Sequence, residues 1–158
     1  MNKGFTLLEF IIYFSLLLII SVVMGSMGIN VMIAKNKLAR LEVIEQNARL
    51  AGEIIVNRAR GASAIINPAA GQASTSLSLN TLDASKNPII FDLVNGNIRI
   101  KEGSDAYQNI TTNEITATNF EVKNISYSGT SGTIRIKLTL KNGDVEKDFY
   151  FSSNVYKQ

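Results

Sequence analysis

Residues 5–34 read FTLLEFIIYFSLLLIISVVMGSMGINVMIA, and residues 35–60 continue as KNKLARLEVIEQNARLAGEIIVNRAR. Glu9 is the only charged side chain between Lys3 and Lys35. The charge-free run 10–34 makes a helix of roughly 37 Å at 1.5 Å per residue, enough to cross a hydrocarbon core of ~30 Å. A secretory signal peptide has an apolar region of only about 7–15 residues ending at an A-x-A-like site, and neither condition holds here. The stretch therefore reads as a membrane span with a carboxylate near its head. An acid in a lipid-facing helix costs about 2.5–3.5 kcal/mol at mid-bilayer and less near an end, so Glu9 needs a function.

From Lys35 to Arg60 the pattern changes without a break, since no proline falls between Phe5 and Arg60. Leu38, Leu41, Ile44, Ala48, Ala51 and Ile55 recur at three- and four-residue spacing, with charged residues between them. This predicts one continuous helix, apolar all round in residues 5–34 and amphipathic in residues 35–60. Gly25, Ser26, Gly28 and Asn30 lower helix propensity, which can soften the helix or offer a small-residue contact face. Gly61 is a stop signal, and residues 61–76, GASAIINPAAGQASTS, read as loop.

Residues beyond this read as strands. Asn95-Gly96 and Asn142-Gly143 each sit between alternating apolar and polar residues, the pattern of a hairpin with positive φ at both turn positions. The first register places Leu93 opposite Ile98, Phe91 opposite Ile100 and Asp92 opposite Arg99. The second places Leu140 opposite Val145, Ile136 opposite Phe149, Ile134 opposite Phe151, Lys141 opposite Asp144 and Lys137 opposite Asp148. A further strand over Asn119–Tyr127 is expected to pair with residues 133–141 through a turn at Ser128–Gly132. The fold class is α+β: a long N-terminal helix whose stripe over residues 38–55 covers a small antiparallel sheet of four or five strands. Residues 61–158 form the β-rich head domain, packed on residues 35–60.

Composition narrows the function. The 158 residues suit one modest domain plus a membrane segment. With no Cys and no His, disulfides, thiol nucleophiles, Ser-His arrangements and the commonest transition-metal ligand are all excluded. No nucleophile elbow, phosphate loop or metal-ligand cluster is present, so an enzyme reading is disfavoured and no catalytic residues or cofactor are expected. Residues 35–60 carry six basic and three acidic side chains, against nine of each in residues 61–158. The +3 net charge is thus juxtamembrane, where anionic lipid headgroups favour it.

Lys3-Gly4-Phe5-Thr6-Leu7-Leu8-Glu9, followed by the span, resembles the leader motif of the type IV pilin superfamily, which includes major and minor pilins and the pseudopilins of type II secretion and competence systems. The resemblance implies that residues 1–4 are a leader and that a prepilin peptidase cuts between Gly4 and Phe5 and methylates the Phe5 amine. It also implies that Glu9 pairs with the terminal amine of a neighbouring subunit during assembly. The partners it implies are the peptidase, other pilin or pseudopilin subunits, an inner-membrane assembly platform and membrane lipid. The localisation it implies is a single pass in the cytoplasmic membrane with the C-terminal domain outside the cytoplasm, and then a filament.

Two departures favour a minor subunit: the span has no proline, and without Cys there can be no C-terminal disulfide loop. Asp144, Glu146 and Asp148 alternate along a strand, which suits pairing with Lys141 and Lys137 better than a calcium loop. Residues 115–141 are also similar to the sheet region of J-type minor pseudopilins. The competing reading is a single-pass anchor with a small ligand- or DNA-binding head, motivated by Arg99, Lys101, Arg135 and Lys137. The Asp92–Arg99 and Lys137–Asp148 registers neutralise half of that patch, which disfavours nucleic acid.

Overall fold

The computed structural model describes residues 6–126 and 132–155. Helix α1 runs unbroken from Leu7 to Arg60, 54 residues. It passes through two compact units, residues 1–39 and 40–158. In the first, every described residue is exposed. Gly25 and Gly28 interrupt nothing, and a Cβ at either would meet open space.

The second unit begins on α1 and continues, among the described residues, through nine strands: β1 (Ala64–Asn67), β2 (Ala73–Ser74), β3 (Ser76–Asn80), β4 (Ile89–Val94), β5 (Asn97–Glu102), β6 (Gln108–Asn109), β7 (Thr116–Asn124), β8 (Gly132–Asn142) and β9 (Val145–Val155). The α+β class with a long N-terminal helix is as expected. The strands divide into two antiparallel sheets, ordered β1-β3-β4-β5-β6 and β2-β7-β8-β9. Each expected hairpin therefore belongs to its own sheet. Residues 61–76, expected as loop, hold β1, β2 and the first residue of β3. These pieces are two to five residues long, and their small and turn-forming residues mask the alternation that would reveal them.

The seam between helix and sheets is lined by Ile44, Ala48, Ala51, Ile55 and Ala59, all fully buried. They share one core with Phe91 and Ile98 of the first sheet and Phe120, Ile136 and Leu138 of the second. Leu38, expected to open this stripe, is 66% exposed, so burial begins a turn later than the periodicity suggests. Small residues let the strands approach. Gly52 is covered by the Phe151 ring so closely that a Cβ would overlap it. Asn47 is the polar exception in the seam, and it is satisfied: Nδ2 donates to the Val43 carbonyl and Oδ1 accepts from the Thr112 N–H, both at 2.9 Å.

The first hairpin has the expected register, with Leu93, Phe91 and Asp92 opposite Ile98, Ile100 and Arg99. Asn95 (φ 51) and Gly96 (φ 76) occupy its turn, as a type I′ turn requires. The second hairpin is displaced by two residues from expectation: Asn142 faces Val145, Leu138 faces Phe149 and Ile136 faces Phe151. Its turn is Gly143-Asp144, and of these only Gly143 has positive φ (62), the sign pattern of a type II′ turn with Gly first. A shift of two keeps each side chain on its expected face. It also turns Asp144 away from the expected Lys141 pairing and into an ion pair with Arg40. β7 pairs with β8 as expected but spans Thr116–Asn124; Tyr127 and most of the expected 128–132 turn lie outside the described residues.

Removing the seam exposes both inner faces to water, an apolar patch that promotes aggregation. A fragment of residues 35–158 is expected to unfold cooperatively in urea as a monomer, and a fragment of residues 61–158 to aggregate. A monomeric, cooperatively folded 61–158 would contradict the packing. Within the longer fragment, Gly52→Ala should lower stability by about 1–3 kcal/mol through overpacking against Phe151.

Candidate functional site

Of the residues the sequence singles out, Gly4 and Phe5 lie outside the described residues, and Glu9 is in the first turn of α1. Thr6 caps this helix: its carbonyl accepts the first helical bond, from the Phe10 N–H at 3.2 Å. The Thr6 N–H and hydroxyl both donate to Glu9 Oε2 at 3.1 Å, and the Glu9 N–H donates to Thr6 Oγ1 at 3.3 Å. This reciprocal arrangement is a capping box. Its signature, Thr6-x-x-Glu9 before an apolar run, stands in the sequence, but a reading centred on the membrane charge passes over it.

The cap has a chemical consequence. Glu9 Oε2 is held by its own helix, whereas Oε1 has no hydrogen-bond partner among the described residues. The carboxylate thus sits at the positive end of the helix dipole with one oxygen fixed by Thr6 and the other unengaged by any described residue. Along the apolar helix, three hydroxyls are satisfied locally: Ser15 donates to the Ile12 carbonyl at 2.8 Å, Ser21 to Leu17 at 2.8 Å and Ser26 to Val23 at 2.7 Å. Such back-bonding lets hydroxyls enter hydrocarbon without stranded donors. By length and composition α1 can cross a membrane.

In the second unit the charges are mostly structural. Among the described residues three ion pairs fasten α1 to the strands and the β8–β9 turn: Arg40 to Asp144, Glu45 to Lys147 at 2.6 Å and Arg58 to Glu102 at 2.6 Å. Sequence reading found none of them, because their partners are 44 to 104 residues apart. The expected Asp92–Arg99 pair is present and bidentate, at 2.9 and 2.7 Å, with Tyr107 stacked 4.2 Å from the guanidinium. Lys137 and Asp148 pair at 2.9 Å as expected, but diagonally, since Thr139 is the residue opposite Asp148. Glu146 accepts from the Thr118 hydroxyl at 2.7 Å. The three alternating carboxylates thus have separate partners, and no metal-holding cluster occurs among the described residues.

The four cations behind the DNA-binding reading do not converge. Arg99 and Lys101 are on β5 of one sheet, while Arg135 and Lys137 are on β8 of the other. A cavity of about 400 Å³ lies between α1 and the β5–β6 region, with Leu50, Ile54, Ile100 and Ile110 among its walls. The Arg58–Glu102 pair lies at its margin, so the groups there are already engaged. No protein-family model, curated protein or solved structure gives a significant match to this chain.

Two outcomes follow from these contacts. Thr6→Val removes the hydroxyl from the cap, a loss of about 0.5–2 kcal/mol. Hydrogen exchange on the full chain in micelles should show faster exchange in the first turn, restored by Thr6→Ser; unchanged exchange would mean the cap contributes nothing. At the other site the Thr139 hydroxyl and then the Lys137 ammonium hold Asp148 below the usual carboxylate range. Its contribution is therefore present above the unfolded value, near pH 3.9, and lost as pH falls through the lower folded value. Asp148→Asn should flatten that acid limb in pH-dependent unfolding of residues 35–158; an unaltered limb would dismiss Asp148 as its source.

Proposed function

We propose that the chain is a structural subunit of a type IV pilus or of a secretion or competence pseudopilus, of the minor pilin or pseudopilin kind. In this reading a prepilin peptidase cuts between Gly4 and Phe5, Phe5 is methylated, and Glu9 Oε1 receives the terminal amine of a neighbouring subunit. The observation that carries the proposal is a carboxylate whose Oε1 has no hydrogen-bond partner among the described residues, at the head of an exposed apolar helix and within a leader-like motif. Support comes also from the satisfied hydroxyls of Ser15, Ser21 and Ser26, which suit a lipid or helix-bundle setting. The single apolar helix is compatible with a single-pass membrane anchor; orientation outward and assembly into a filament belong to the proposal. The alternative is an anchored protein with a small ligand- or DNA-binding head, and its DNA-binding form loses support from the division of its cations between two sheets.

Protein from its native host should have a mass beginning at N-methylated Phe5; assembled material retaining Met1 would sink the processing step. Glu9→Gln and Glu9→Ala should leave insertion and cleavage intact, since each removes a charge that lipid disfavours. Assembly should fall instead. Breaking a fully buried ion pair costs about 3–5 kcal/mol, and a site near the interface less, so the ratio of subunit in sheared filaments to subunit in membranes should drop at least about tenfold, or 1.4 kcal/mol. Glu9→Lys should be worse than either, because it opposes two cations where little water screens them. Wild-type assembly of all three variants would reduce Glu9 to a helix cap.

A further inference from the structure

The sequence holds two Asn-Gly pairs, Asn95-Gly96 and Asn142-Gly143. Asparagine is a thermolabile residue, and glycine after it leaves the next amide nitrogen unshielded. That nitrogen gives up its proton and attacks the side-chain Cγ, the amide group leaves as ammonia, and a five-membered imide remains. One water then opens the imide at either carbonyl, to aspartate or to isoaspartate, so one water is consumed and one ammonia released. Ring closure turns the peptide that joins the two residues, and with it the glycine carbonyl. A fold therefore permits the reaction where that peptide is free to turn and suppresses it where local opening must come first.

The two pairs differ in this respect. Asn95 and Gly96 are the central residues of their turn, both with positive φ. The Gly96 carbonyl accepts from the Ala117 N–H at 2.7 Å, and a Cβ on Gly96 would meet Thr116 Cγ2 at 2.8 Å. The strand leaving the turn is tied down as well: the Ile98 N–H donates to Thr111 Oγ1 at 3.1 Å, and the Ile98 carbonyl accepts from the Ile110 N–H at 2.8 Å. Turning the Asn95-Gly96 peptide thus breaks a bond to β7, a strand of the other sheet, before the ring can close.

Asn142-Gly143 straddles the end of a strand instead. Asn142 is the last residue of β8, and the ladder between β7 and β8 reaches only to Lys141. Neither the Gly143 N–H nor its carbonyl has a hydrogen-bond partner among the described residues, and the Asn142 side chain has none. Gly143 and Asp144 are both exposed, so water and base reach the peptide. By alternation Asn142 is on the same face of β8 as Leu138 and Leu140, which belong to the buried core. Arg40 fills the space that a Cβ of Gly143 would take, while it pairs with Asp144. A carboxylate formed at position 142 therefore arises beside that ion pair. Isoaspartate also adds a carbon to the backbone of the turn that presents Asp144.

We infer that Asn142 is a site of spontaneous deamidation in the folded protein, that Asn95 is protected from it, and that the isoaspartate product loosens the contact between α1 and the β8–β9 turn. The inference concerns the second unit and is independent of the assembly reading.

The test incubates the full chain in detergent micelles at mildly alkaline pH, with and without guanidinium chloride, and follows both sites by peptide mapping that separates aspartate from isoaspartate. In the folded chain Asn142 should convert at least about fivefold faster than Asn95, with isoaspartate among the products. In denaturant Asn95 should speed up until the two rates are alike. Hydrogen exchange of the amides at residues 143–147 should be faster in the isoaspartate form than in the unmodified protein. The inference is overturned by comparable rates at the two sites in the folded chain, by a difference that survives denaturant, or by unchanged exchange in the isoaspartate form.

Discussion

Close approach of two sheets to one face of α1 is the constraint on which the second unit depends. A helix with large residues along that face would hold the strands away; Ala48, Ala51, Gly52 and Ala59 allow contact, with Ile44 and Ile55 filling the space between. The three ion pairs from Arg40, Glu45 and Arg58 then act along the sides of a dry seam. They are partly exposed, and pairs of that kind contribute only about 0–1 kcal/mol each, so they set alignment more than stability. The apolar seam carries the energy, at about 25 cal/mol per Å² of apolar surface removed from water.

What could be read from sequence follows from how local each signal is. Helix length and the first hairpin were legible because one depends on a proline-free periodic run and the other on Asn95-Gly96, whose residues are adjacent. The second hairpin misled because Asn142-Gly143 suggests a type I′ turn, while Gly143-Asp144 is the turn formed. Both turns preserve the facing of every side chain, so the hydrophobic pattern cannot separate them. The contact of Asp144 with Arg40, 104 residues away, is made from the later turn and has no local trace. The same reason hides the division into two sheets: strand order is a long-range property, and β1, β2 and β6 are too short to announce themselves.

The candidate site was legible in part. Glu9 stands out because it is the only charge in an apolar run, and it lies exposed in the first turn of α1. Its bonds to Thr6 went unread although both residues were in view. A carboxylate near the end of a membrane helix draws attention to an outside partner, yet the first partner it finds is its own helix cap. The two roles are compatible, since a carboxylate has two oxygens and the cap takes one.

That division of labour is the central claim, and a distance measurement between subunits tests it most directly. Filaments assembled from two pools, one carrying ¹³C at Glu9 Cδ and the other ¹⁵N at the Phe5 amine, report only contacts between molecules in a solid-state dipolar recoupling experiment. The account predicts a Cδ-to-amine distance of about 3–4 Å, as expected when a carboxylate oxygen accepts a charge-assisted hydrogen bond. Dephasing that is absent in the mixed filaments but present when both labels are on one chain would contradict it.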